Sequence, residues 1–227
     1  MMATTATNAP YQAQQARFNM IEQQIRPWNV LDMSVLELLD AVPRHEFVPQ
    51  GQQALAYVDT QLPLPCGQTM LEPRVEARMV QDLAIQAHET VLEIGTGSGY
   101  LTALLAKQAA HVVSLEIHAE LANFGKANLA RAGIRNVDVV CADGSQYTSP
   151  HAPFDVIVLG GSVAQVPASL LAQLKVMGRL LAIVGAGPMM RAHLVKSISE
   201  LQQVTTQPWD AVVPRLVGFP EPSQFSF

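Results

Sequence analysis

The chain has 227 residues, 49% of them apolar and 15% charged, which is enough material for one sizeable hydrophobic core. A formal net charge of −5 argues against a nucleic-acid backbone or an anionic bilayer as the main partner. Two cysteines, Cys66 and Cys141, are too few for a disulfide framework and fit a reducing, cytoplasmic setting.

The opening "MMATTATNAPYQAQQ" has neither the basic nor the apolar region of a secretory signal, and "LLAIVGAGPMM" is too short and too broken to span a membrane. Residues 1–10 are small and polar and are expected to be disordered. From residue 11 to about 42 the spacing is helical. Phe18, Ile21 and Ile25 recur on one face, as do Val35, Leu38, Leu39 and Val42; "RPW" separates the two runs and "VPRHEFVPQ" ends them. From Val91 the text alternates. The β-branched runs "VLEI", "HVVSLE", "VDVVCAD", "FDVIVLG" and "RLLAIVGA" are separated by the helical stretches "YLTALLAKQA", "AELANFGKANLARAG" and "PASLLAQLKVMG". The last two end at Gly133 and Gly178, suitable helix-terminating glycines. Continuous rather than alternating apolar runs predict a parallel sheet covered on both faces. "HLVKSIS" and "DAVVPRLVG" are expected as late, antiparallel strands.

Gly95-Thr96-Gly97-Ser98-Gly99 follows the first of these strands and opens a helix. Glycines there let a backbone pass close to a ligand, and the helix start supplies free N–H donors. The spacing is not that of the dinucleotide fingerprint, and the lysine of a P-loop is missing. Glu116 closes the next strand about 20 residues on, where a carboxylate can accept from both hydroxyls of a ribose. Glu93 lies inside an apolar run and needs donors, either the loop's own N–H groups or a ligand ammonium. Asp143-Gly144, after the third strand, brings another carboxylate to the same edge, suited to adenine recognition. The six histidines, His45, His88, His111, His118, His151 and His193, show no metal-ligand spacing, so no metal is expected.

"VLEIGTGSGY" resembles the glycine motif of S-adenosylmethionine-dependent methyltransferases. "VPRHEFVP", "AYVDTQLPLPCGQTM", "ADGS", "PFDVIVLGGSVAQVPASLLAQL" and "VPRLVG" resemble, in order and spacing, the protein-L-isoaspartate O-methyltransferase family over roughly residues 35–218. The resemblance implies an α/β, Rossmann-like, doubly wound and mostly parallel seven-stranded sheet with an N-terminal helical cap. It implies a single domain over 11–227, with cap and lid over 11–72 and the core with its C-terminal strands over 73–227. S-adenosyl-L-methionine is the implied cofactor. By position, Glu93 and Gly95, Thr96, Gly97, Ser98 and Gly99 would hold its methionine moiety, Glu116 the ribose, and Asp143 and Gly144 the adenine. Gln68 and Thr69 would form a lid over the sulfonium.

The acceptor half departs from the family. Where the family reads Gly-Gln-Thr-Ile-Ser-Gln-Pro, this chain reads Gly67-Gln68-Thr69-Met70-Leu71-Glu72-Pro73, so Leu71 replaces the serine beside the methyl acceptor and Thr69 is the remaining candidate catalytic hydroxyl. Glu72, Arg74 and Glu76 also differ from common choices, and "VLGGS" stands for a Thr-Ala-Ala stretch. Arg74 or Arg215 is a candidate partner for a substrate carboxylate. An isoaspartyl carboxylate is ionised at pH 7, so methyl transfer to it calls for alignment rather than a strong base. The expected substrate is an isoaspartyl residue of a damaged peptide or protein. The alternatives are a different, small-molecule acceptor that tolerates Leu71, or a binding module without turnover.

Overall fold

The N-terminal apolar stripe folds into a cap. The computed structural model describes residues 9–221, so the expected disorder over residues 1–10 falls mostly outside them, while Ala9 and Pro10 open the first helix. Helix α1 (Ala9–Met20) runs through a π-helical turn at Ile21–Ile25 into a tight turn at Arg26–Trp28, where the "RPW" break was expected. Ile21 and Ile25 are buried, but Phe18 is exposed. Helix α2 (Met33–Ala41) starts at Asp32, whose carboxylate accepts from the Ser34 N–H at 2.9 Å. A short ribbon of β1 (Leu62–Pro63) and β2 (Thr69–Met70) then leads into α3 (Pro73–Leu83), with Pro73 at its first position.

The apolar runs become a seven-stranded sheet. Its first four strands in chain order are β3 (Thr90–Ile94), β4 (His111–Glu116), β5 (Val137–Cys141) and β6 (Phe154–Val163). Helices α4 (Tyr100–Gln108) and α5 (Ala119–Arg131) join the first three, and α5 ends before Gly133 in the left-handed region. After α6 (Ala168–Leu171) come β7 (Leu174–Ala186), β8 (Met189–Ser199) and β9 (Gln202–Thr206). The strand order is β5-β4-β3-β6-β7-β8-β9, parallel through β7, with β8 and β9 added antiparallel.

Alternate residues sort into two layers. Val91, Val112 and Val156 pack with α3, α4 and α5; Leu92, Val113 and Ile157 face the other layer with Leu170 and Phe219. Both faces are buried, which is why the strands read as unbroken apolar text. From β3 the chain winds outward to β5, then returns to β6 on β3's other side. The reversal opens a crevice at the carboxyl ends of β3 and β6.

Two expectations are corrected here. The stretch "PASLLAQLKVMG" is helical only over Ala168–Leu171, and β7 begins at Leu174. Gln173 ends the helix because its groups are drawn elsewhere. Its carbonyl accepts from Phe154 N–H at 2.8 Å, its side-chain oxygen from Ser149 N–H at 2.8 Å, and its amide donates to Tyr147 O at 3.0 Å. Gly178 consequently lies in the strand, not at a helix end. The segment "DAVVPRLVG" is a strap rather than a strand. It touches the sheet through single bridges, with Ser162 donating to Pro214 O at 2.8 Å and Leu216 donating back to Ser162 O at 2.9 Å. Pro214 has no N–H with which to continue a ladder. The last strand is instead β9, fully exposed on the sheet edge. Replacing Gln173 by leucine is expected to cost about 1–3 kcal/mol, since it leaves buried N–H and C=O groups unpaired; urea unfolding measures it.

Candidate active site

The crevice is built around the turn from β3 into α4. Gly95, Gly97 and Gly99 take φ values of 96°, 52° and 82°, which side chains resist. The loop is fixed from β4: Gly95 and Thr96 donate to Leu115 O at 2.8 and 3.1 Å, and Gly97 donates to Glu116 Oε2 at 2.9 Å. The other oxygen of Glu116 accepts from His118 N–H at 3.0 Å. This carboxylate therefore stands rigidly at the mouth of a cleft of about 70 Å³. Gly95, Gly97 and Gly144 line it beside Glu116; Ile117, Leu115 and Phe219 give it an apolar side; Leu64, Gln68 and Thr69 come from the β1–β2 ribbon. Gly160 and Leu216 close the far wall. A second, smaller hollow of about 30 Å³ shares Leu64, Thr69, Gly95, Gly97 and Gly160 with the cleft and is also lined by Thr96, Ser98, Leu71, Leu101 and Glu76.

Of the residues singled out in the sequence, Gln68, Thr69, Gly95, Gly97, Glu116 and Gly144 line the cleft, and Thr96 and Ser98 the inner hollow. Three lie elsewhere. A Cβ at Gly99 would sit 3.1 Å from Gly125 O and 3.2 Å from Leu129 Cγ, so this glycine serves the packing of the loop on α5. Asp143 caps its own turn, accepting from Ser145 N–H at 2.9 Å, and packs against Gly218 of the strap. Glu93 is fully buried behind the loop. Its donors are not the loop N–H groups but two hydroxyls, Thr102 Oγ1 at 2.5 Å and Ser114 Oγ at 2.6 Å. Ser114 Oγ also meets Thr96 Oγ1 at 2.5 Å. Arg74 and Arg215 do not line the site. Arg74 pairs with Asp59 at 2.6 Å over the Trp28 ring, and Arg215 pairs with Glu221 at 2.8 Å. No cluster that could hold a metal occurs among the described residues.

The family model described as "Protein-L-isoaspartate(D-aspartate) O-methyltransferase (PCMT)" matches residues 15–211. This chain belongs to that family. A PCMT of Methanoculleus marisnigri is 43% identical over 196 residues, covering 86% of this chain and 88% of the relative. Another, from Rhodopseudomonas palustris, is 44% identical over 167 residues, covering 74% and 77%. The solved structure of a Plasmodium falciparum PCMT in complex with S-adenosyl-L-homocysteine shares the fold, with a TM-score of 0.73 at 20% identity over 88% of this chain and 96% of that one.

Within the PCMT fold, the residue at the family's serine position, Leu71, is 4% exposed and walls the inner hollow. Its carbonyl accepts from Arg44, whose other terminal nitrogen donates to Glu76. Arg44 is fully buried and lies 4.9 Å from the Tyr100 ring centroid. Burial pushes the Glu76 carboxyl up to about 7 despite the opposing pull of Arg44. The sequence marked Glu76 as a departure from the family's common choices but not as a binding side chain. The signal was present: Glu76 shares its helical stripe with Met79, Val80 and Leu83, all buried. Gly160, Leu216 and Phe219 were likewise missed as walls, because they reach the cleft from β6 and the strap, far from the glycine loop in sequence.

Burial also pushes the Glu93 carboxyl up, to about 8, so that it is mostly protonated at neutral pH. A carboxyl with a raised folded pKa favours the folded state while both states hold the proton, and loses that support as pH climbs from the ordinary 4.5 towards about 8. Thermal stability is therefore expected to fall between pH 5 and 8.5. Glu93→Gln should flatten that fall, leaving the smaller slope owed to Glu76; melting curves across pH measure it.

Proposed function

We propose that this protein transfers the methyl group of S-adenosyl-L-methionine to the side-chain carboxylate of isoaspartyl residues in peptides and proteins. The observation that carries the reading is Glu116, pinned by Gly97 and His118 at the mouth of a cleft on the sheet's topological switch point. Its support from kinship is the 43% identity to a named PCMT over most of both chains.

The residues present fit the nucleoside. Glu116 can accept from ribose hydroxyls, Ile117, Leu115 and Phe219 offer apolar surface to a flat base above Gly144, and Gly95 and Gly160 bring the backbones of β3 and β6 within reach without side chains. The Thr69 hydroxyl oxygen is buried with no partner among the described residues, a donor awaiting an acceptor. When bound, the cofactor supplies an electrophilic methyl on a sulfonium. The chain's part is to align and to exclude water. Gln68 and Thr69 border the cleft from the β1–β2 ribbon; Leu71 and Leu64 give the neighbouring hollow apolar walls. No general base is required for a carboxylate already ionised at pH 7. In this reading Gln68, Thr69, Thr96, Gly97, Ser98, Glu116 and Gly144 contact cofactor, while Glu93, Gly99 and Asp143 shape the loop and the strap around it. Cys66 and Cys141 are free and exposed, in keeping with a cytoplasmic location. No helix among the described residues is long and apolar enough to cross a membrane.

One observation favours a second reading, with the same cofactor and another acceptor. Leu71 removes a hydroxyl donor from beside the acceptor, worth about 0.5–1.5 kcal/mol. A paired assay with labelled methyl donor decides between them. Isoaspartyl peptide is expected to be methylated and its aspartyl twin not; strong cofactor binding with neither methylated would hand the case to the second reading. Leu71→Ser is expected to raise the isoaspartyl rate by roughly 2–10-fold if the lost hydroxyl is what separates this chain from the family pattern. Glu116→Ala should weaken S-adenosylhomocysteine binding by about 10–100-fold, the cost of losing charge-assisted hydrogen bonds, as read by calorimetry.

A further inference from the structure

The reading above leaves one acid at the site without a task. Glu76 is 4% exposed and lines the inner hollow. Its Oε2 is taken by Arg44. Among the described residues its only hydrogen bond is that one, which leaves Oε1 over, and its side chain keeps a 5% exposure beside the hollow. Arg44 is locked in turn by the Leu71 carbonyl and the Tyr100 ring, so the carboxylate is held in one orientation. An ion pair serving stability alone gains nothing from leaving one carboxylate oxygen unused beside an open space.

The space it borders adjoins the cleft, with which it shares five lining residues. Gly97 binds Glu116 through its N–H and walls the hollow as well, so the ribose position and the Glu76 carboxylate lie on two sides of one glycine. A sulfonium nucleoside carries beyond its ribose a short chain ending in one ammonium and one carboxylate. The hollow offers a matching set. Glu76 Oε1 is an acceptor, the Thr69 hydroxyl is an unused donor, and Thr96 to Ser98 lead into the N-terminus of α4, where an anion is favoured. Glu93, the acid that family position would assign to this end of the cofactor, is fully buried behind the loop, its Oε2 held by Thr102 and Ser114 and its Oε1 sealed from solvent without a partner among the described residues.

Resting on the cofactor reading, we propose that Glu76, fixed by Arg44, receives the α-ammonium group of bound S-adenosylmethionine and of its demethylated product. Glu76 is then a cofactor-binding residue and Arg44 its positioning residue, contributed by α3 and by the segment before the β1–β2 ribbon rather than by the glycine loop.

The test compares two ligands by calorimetry on the intact protein: S-adenosylhomocysteine, and its deamino analogue in which hydrogen replaces the ammonium. Wild type is expected to bind the first at least about tenfold more tightly, as one charge-assisted hydrogen bond warrants. Glu76→Gln is expected to bring the two within about threefold by weakening only the first. If Glu76→Gln does not fold, the double variant Arg44→Met, Glu76→Gln removes both charges together and gives the same comparison. Equal binding of the two ligands by wild type, or an undiminished preference in the variant, overturns the proposal while leaving the cofactor reading intact. Failure of folded wild type to bind either ligand overturns the cofactor reading, and this proposal with it.

Discussion

A chain of four side chains ties the site together: Thr96 to Ser114, Ser114 to Glu93, and Glu93 to Thr102. It joins the glycine loop, β4, β3 and α4 inside the layer that excludes water most completely. A carboxylate could not live there unpaired, and no cation is offered to it; burial instead keeps it protonated. The acid is therefore a hydrogen-bonding spacer. It sets how far α4 stands from β3, and with that the curve of the loop in which Gly95 and Gly97 face a ligand. Glu116, one strand over, is the contrasting case, a carboxylate with two backbone N–H donors and access to the cleft.

Much of this was legible from the residues. β4 spans the run "HVVSLE" because that run is buried on both faces and has nowhere to fray. The loop and Glu116 were legible because their roles impose residue types at fixed spacing. Other features were not. The helix before β7 is cut short by Gln173, whose three partners come from segments about 19 to 26 residues upstream; no local propensity encodes them. β9, with every residue exposed, carries no burial pattern to read and exists because β8 offers an edge. Glu93 was recognisable as costly, but its solution in two hydroxyls depends on strand register and on α4.

The two halves of the site follow different logic. The nucleoside half uses backbone atoms, glycines and one acid bordering the cleft, Glu116, which makes it tolerant of sequence change elsewhere. The half beyond Gly97 is built from side chains: Arg44, Glu76 and Leu71 depend on one another, and Thr69 adds an unpaired hydroxyl. Arg44 bonds both to the carbonyl of Leu71 and to the carboxylate of Glu76, so the two departures from the family pattern are physically one. A substitution at either alters the support of the other, and effects measured there will not add.

The strap carries a consequence of its own. Leu216 and Phe219 wall the cleft, and Gly218 lets the backbone lie against Asp143, where a Cβ would come within 2.7 Å of its carboxylate. The sheet's central strands are made well before these residues in synthesis from the N-terminus. A nascent chain still short of residue 216 would hold the glycine loop but only an open trough, so a competent pocket arises only once the strap has been made, and damage confined to this short stretch would open a site whose other walls are sound.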